Sequence, residues 1–122
     1  MMQIIMNNRI FFRGAYEWPE ERNDDVFLYY TEHVEADETI SLPSGYKVAE
    51  PEDSLEIDDT YAYFKGSCKM NKNSFTIKQI ADIKRRQIPQ DGYKGFRKVI
   101  MDGTDYAATV FKATKGGTKW NW

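Results

Sequence analysis

Residues 60–88 constrain this chain more than any other stretch. From Thr60 to Met70 the side chains alternate. Ala62, Phe64, Gly66, Cys68 and Met70 fall on one face, and Tyr61, Tyr63, Lys65, Ser67 and Lys69 on the other. Successive side chains of a strand point to opposite faces, so the pattern predicts a half-buried strand. Asn71-Lys72-Asn73 supplies a tight turn, because Asn tolerates left-handed backbone, and Phe75 and Ile77 open the return strand. Ile80 is out of phase with them. A β-bulge near residues 79–82 is therefore expected, restoring the pattern in a strand that continues through Ile83 to Ile88. A strand of roughly 14 residues, against a usual length of about 5–6, is expected to bend across two sheets. Pro89 ends it, since the residue before Pro is held extended and Pro can open a helix.

The 122 residues suffice for one domain with one core. Hydrophobic residues at 41% and charged residues at 30% point to a folded chain rather than a disordered one. An aromatic share of 15% favours strands. The net charge of -2 gives no electrostatic footprint for duplex nucleic acid. With one cysteine, Cys68, no intramolecular disulfide can form. Met1 to Ile10 is apolar but broken by Gln3, Asn7, Asn8 and Arg9, unlike the core of an export signal. No stretch is long enough to span a membrane as a helix, so no membrane insertion is expected. By default such a chain, if a whole gene product, is expected in the cytoplasm.

Ahead of the hairpin, residues 3–12 are expected to form a strand. A connector with Gly14, Pro19 and the polar run 20–25 follows, and Trp18 within it is expected to plug the core edge. Val26 to His33 is apolar or amphipathic at both parities, which predicts a strand covered on both sides. Glu35-Ala36-Asp37 is expected to turn, Glu38 to Leu42 to form a short strand, and Pro43-Ser44-Gly45 to end it. Residues 46–49 resume extended structure. The acidic stretch 50–59 carries Leu55 and Ile57 in alternation, as in an edge strand whose charges discourage aggregation. A calcium site there is disfavoured, since no D-x-D-x-D-G loop is present. Beyond the hairpin, Tyr93, Phe96, Val99, Ile100 and Gly103 share one helical face, predicting a helix near 90–102 that stops at Asp102-Gly103. Residues 107–113 close the fold as a strand, and a Gly-Gly tail ends in Trp120 and Trp122.

Catalytic chemistry finds little support. Cys68 and His33 are the sole candidates for a thiol nucleophile and its base. A reactive thiolate needs an electropositive setting such as a helix N-terminus, whereas Cys68 sits mid-strand among core positions. One Cys and one His do not make a zinc site without carboxylates. No P-loop or G-x-S-x-G motif exists. No cofactor, metal or catalytic residue is therefore expected. Surface candidates remain. Lys84, Arg85 and Arg86 form a basic run, expected on a strand as a solvated face or as an anchor for an acidic partner. Tyr61, Tyr63, Trp120 and Trp122 could form a stacking platform for sugars, although packing beneath the helix is favoured for the tyrosines.

Four segments, in order, resemble a known family. Arg22-Asn-Asp-Asp-Val-Phe-Leu-Tyr-Tyr30 is similar to its entry strand. Thr39-Ile-Ser-Leu-Pro-Ser-Gly-Tyr-Lys-Val48 is similar to its Leu-Pro-x-Gly-Tyr-x-Val turn. Ile83 to Phe96, with its Ile-Pro step and Tyr-x-x-Phe helix start, resembles the exit, and Asp105 to Lys112 resembles the closing strand. The resemblance, over residues 17–113, is to the C-terminal β-domain of bacterial proteins with a central transglutaminase-like module after an N-terminal β-domain. It implies a β-sandwich with one C-terminal helix, in the periplasm or cell envelope if the parent is exported. The Cys-His-Asp chemistry of that family belongs to the central module, so no catalytic residue carries over.

The resulting expectation is a mainly β fold, an antiparallel, Ig-like β-sandwich with one C-terminal α-helix. Residues 1–16 are taken as an N-terminal strand and connector, 17–114 as the sandwich and 115–122 as a flexible tail. The expected role is non-catalytic: an accessory domain docking on a transglutaminase-like module in its parent or on a neighbouring chain. The alternatives are a carbohydrate- or peptide-binding sandwich, a small thiol enzyme, and a self-associating subunit.

Overall fold

The structure, a computed structural model, describes residues 2–5, 18–48 and 54–115. The expected hairpin is its centre. β1 (Met2–Ile5), β2 (Val26–Phe27), β3 (Glu32–Ser41), β4 (Tyr46–Val48), β5 (Leu55–Asp58), β6 (Ala62–Asn71), β7 (Ser74–Ile83) and β8 (Gln87–Ile88) precede helix α1 (Tyr93–Ala107) and β9 (Val110–Lys115). β6 and β7 pair in register from Ala62↔Ile83 to Asn71↔Ser74. At their turn Lys72, rather than an Asn, takes the left-handed backbone, with φ 33°.

Three antiparallel sheets result, ordered β3-β7-β6-β5, β1-β9-β4 and β2-β8. The inner face of the four-stranded sheet carries Ala62, Phe64, Phe75, Ile77 and Ala81, all buried. Two layers cover it. α1 lies over the Phe64 end, where Phe64 and Tyr106 meet at 5.6 Å between ring centroids. β9 reaches the turn end, where Phe111 meets Phe75 at 4.9 Å, edge to face. The fold is thus mainly β, sandwich-like, with one C-terminal helix. Trp18 plugs the core edge as expected, against Phe96 at 5.1 Å and Tyr93 at 6.1 Å.

Several boundaries differ from expectation, each for a physical reason. No bulge interrupts β7. Ile80 faces outward, and the inward position goes to Gln79, a buried polar residue. Residues 35–37 do not turn. β3 runs through them in unbroken register with β7, since no Gly, Pro or Asn breaks the run and Val34, Ala36 and Ile40 keep the alternation. The strand expected over 26–33 is split into β2 and the start of β3. α1 passes through Asp102-Gly103 because Thr104, Tyr106 and Ala107 extend its buried stripe. It begins at Tyr93, after a 3-10 turn over Gln90–Gly92. In β9 Phe111 is buried and Val110 exposed. Residues 6–12 of the first expected strand, Glu50, Glu52 and Asp53 of the acidic stretch, and Trp120 and Trp122 lie outside the described residues.

The split in 26–33 mirrors a split in 74–88. β3 pairs with β7 up to Glu32↔Ile83, and β2 pairs with β8 from Phe27↔Gln87. Residues 28–31 on one path therefore face 84–86 on the other, four against three.

Candidate functional site: an aromatic loop beside an apolar groove

The four-against-three interruption shapes the most accessible aromatic surface among the described residues. Leu28 holds to the ladder: its N–H donates to Arg86 O at 2.7 Å, and Arg86 Nε donates back to Leu28 O at 3.3 Å. The chain then leaves the sheet for Tyr29 to Thr31 before β3 starts. Phe27 is 72% exposed, Tyr29 95% and Tyr30 55%. Isolated apolar side chains on a surface mean little, but Tyr29 and Tyr30 both line one groove, and Phe27 is exposed two residues before them. The groove, about 330 Å³, is lined by Trp18, Leu28, Tyr29, Tyr30, Glu32, Ile83, Phe96 and Ile100. Its floor comes from α1 and Trp18 and its lip from the loop and the first residue of β3.

The groove walls are fastened. Tyr93 Oη donates to Pro19 O, and Arg97 Nε donates to Trp18 O at 3.1 Å, tying residues 18–19 to α1. Burial pushes the Tyr93 hydroxyl above its ordinary value, so it stays a donor. Asp25 accepts from Gln87 Nε2 at 3.1 Å and from Gln90 N at 3.0 Å, joining β2 to the entrance of the helix.

The structure gathers the expected residues Tyr61, Tyr63, Lys84, Arg85 and Arg86 at one corner, though in internal contacts. The basic run is a connector between β7 and β8, not part of a strand. Lys84 Nζ donates to Asp58 Oδ1 at 2.6 Å and to Asp59 O at 2.7 Å, and lies 6.0 Å from the centre of the Tyr63 ring. Arg85 sits 5.9 Å from the Tyr61 ring centre, a cation–π contact. Arg86 holds the aromatic loop. Tyr61 packs at the helix entrance against Gly92, as favoured, whereas Tyr63 turns outward and donates to Glu56 Oε2 at 2.7 Å. Trp120 and Trp122, the other two members of that set, are not among the described residues.

Cys68 and His33 are far apart. They pair with Ile77 and Asp82 on β7. That separation is five residues, about 17 Å along the strand at roughly 3.3 Å per residue, and an odd offset puts them on opposite faces. Nucleophile and base need about 3 Å. Cys68 is half-buried against the core. His33 is exposed and flanked by acids. Nε2 lies 2.8 Å from Glu35 Oε2, and Nδ1 contacts Asp82 Oδ1. Hydrogen bonding first to Glu35 and then to Asp82 raises its pKa. Among the described residues no group of three or more His, Cys, Asp or Glu side chains could hold a metal ion. Among them, too, no helix is long and apolar enough to cross a membrane.

Phe27, Tyr29 and Tyr30 were not singled out by the sequence, where they belong to a covered strand. The available signal was that both parities of Val26–Thr31 are apolar or amphipathic, which demands two covering layers or an open surface.

Fold and surface together define a small β-rich domain whose most open feature, among the described residues, is an aromatic loop beside an apolar groove. The chain belongs to the family described as a Domain of Unknown Function with solved structure, DUF3858, which it matches over residues 2–109. Its fold is similar to that of part of a crystal structure from Parabacteroides distasonis named a "putative protease", with a TM-score of 0.71 at 16% identity. The similarity covers 80% of this chain and 20% of that one, so the chain spans about a fifth of that protein's length. No curated protein matches the sequence.

Proposed function

We propose that this chain is a non-catalytic accessory domain. It docks on a transglutaminase-like module as the C-terminal β-domain of a cell-envelope parent, and Phe27, Tyr29, Tyr30 and the adjoining groove form the contact. The observation that carries the reading is the exposure of these rings on a loop that Arg86 and Leu28 pin to the sheet. Anchoring the base of the loop at Leu28 reduces the backbone freedom lost on binding, and exposed aromatic rings are anchors of the kind that dominate interfaces. The family match, the likeness to one fifth of a longer chain, and the four segments resembling the β-domain of transglutaminase-like proteins all favour it. So does the distance between Cys68 and His33.

Calorimetric titration of the domain with a transglutaminase-like module encoded in the same or a neighbouring reading frame tests the reading. Saturable binding is expected, weakened at least tenfold by Tyr29→Ser with Tyr30→Ser. Absence of binding, or binding indifferent to both substitutions, overturns it. The same three rings favour a second reading, carbohydrate or peptide binding by stacking. Glycan binding lost in the same double variant is its signature.

A further inference from the structure

We propose that the outer edge of β3, with the groove at its start, receives an extended partner segment whose side chains alternate basic and apolar. The inference shares the groove with the docking reading, rests on it to that extent, and adds the chemistry of what is docked.

Among the described residues β3 pairs with β7 alone, so its other edge offers backbone N–H and C=O groups over ten residues, about 33 Å. Two side-chain rows flank that edge. On the inner face Val34, Ala36 and Ile40 pack against the core yet are only partly buried, with Glu32 and Glu38 at the same parity, while His33, Glu35, Asp37 and Thr39 face outward. Apolar surface is thus left open where a further strand would lie. Glu32, Glu35, Asp37 and Glu38 make the strand acidic, and it holds no Lys or Arg. His33 engages Glu35, whereas Glu32 and Asp37 have no hydrogen-bond or ion-pair partner among the described residues. Glu32 is also a lining residue of the groove.

These features select the occupant. A second copy of β3 would set carboxylates beside carboxylates, which is unfavourable across neighbouring strands. A strand with Lys or Arg beside Glu35 and Asp37, and with Val or Ile beside Val34, Ala36 and Ile40, matches the outward row and the apolar members of the inward one while its backbone extends the ladder. Its residue beyond Glu32 then lies beside Tyr30 and Glu32 at the mouth of the groove.

The test uses the whole chain and synthetic probes, so its outcome is independent of any module. Fluorescence anisotropy would follow a labelled ten-residue peptide alternating lysine and valine, and a control with glutamate for lysine. Two further copies would be N-methylated on one or the other set of alternate backbone nitrogens. Saturable binding of the lysine peptide is expected, at least tenfold weaker for the glutamate control and for one of the two methylated copies. Asp37→Lys, on the outward row with Glu35, should weaken it by a similar factor in a chain that still melts cooperatively. No saturable binding, equal binding of both methylated copies with the parent peptide, or β3 amides protected from hydrogen exchange at every position in the free chain overturns the proposal.

Discussion

The Tyr106 ring lies directly over Gly66, so that a Cβ on Gly66 would sit 2.4 Å from Tyr106 Cε1. This contact sets how closely α1 approaches β6. Gly66 is on the inner face beside Phe64, whose ring also meets Tyr106. A strand interior loses stability with Gly, but here the vacancy is filled by an aromatic ring from the opposing layer. Gly66→Ala should therefore cost about 1–3 kcal/mol, the range for overpacking a filled core. Urea denaturation gives the value. In a Tyr106→Ala background the same substitution should become neutral or stabilising, since the ring it collides with is gone. Equal costs in both backgrounds would mean that the ring does not determine the spacing.

How much of this was legible in the sequence depends on where the pattern was strict. The β6–β7 hairpin, the edge position of β5 and the buried face of α1 followed from periodicity, because burial on one face fixes the phase. Gly66 was read as one more inward position, and nothing local reveals that a ring 40 residues away in sequence occupies its missing side chain. Gly92 is a second such case, since the structure places Tyr61 where its Cβ would stand, 2.3 Å from Cε2. The phase error at Ile80 was resolved by accepting Gln79 inside. Hydrophobicity alone could not favour that choice, because a buried amide is tolerated only when its surroundings supply partners. The aromatic loop was hidden because the residue offset that ejects it belongs to a pairing between distant segments, residues 28–31 with 84–86.

His33 stands between two carboxylates on the open face of the sheet, and its pKa is raised chiefly by the hydrogen bond to Glu35 and next by Asp82. A folded-state value above that of the unfolded chain means that the protonated ring favours folding. The contribution is fully present below the ordinary histidine value, about 6.5, and is lost as pH rises through the folded midpoint. NMR titration of the imidazole should show a midpoint above the unfolded value. Glu35→Gln and Asp82→Asn should each lower it. The stability of the wild type relative to His33→Gln should decline as pH rises above about 6.5.

Tyr63 offers a second titration on the same face. Its hydroxyl donates to Glu56 at 2.7 Å, and that bond, strengthened by partial burial and by the neighbouring acids, holds the phenol at about 12. Absorbance at the phenolate band should resolve one late-titrating tyrosine of this origin. Glu56→Gln should return it toward about 10. The sign is again that of a raised value: the bond favours folding at neutral pH, and the benefit disappears only as pH climbs through about 12. An unchanged midpoint in Glu56→Gln would place the cause elsewhere.

Asp25 is the joint on which the aromatic corner depends, and its two oxygens serve different partners. One accepts from the backbone of Gln90 and the other from the side chain of Gln87. Asp25→Ala removes both bonds and leaves the Gln90 N–H to water, since that residue lies at an exposed helix entrance. The expected loss is about 1–2 kcal/mol, from two hydrogen bonds of ordinary net strength at an accessible site. Asp25→Asn separates charge from geometry. Its amide oxygen can still accept from Gln90, and the Gln87 amide can rotate to accept from the new NH2. Asn should therefore retain most of the stability if hydrogen bonding is what matters, and lose it if the negative charge beside the helix entrance is the larger effect. Hydrogen exchange locates the consequence. In Asp25→Ala the amides of residues 26–28 and 87–92 should exchange faster, while those of β6 and β7 keep their protection. Uniform acceleration across both regions would show that the corner unfolds only with the whole domain.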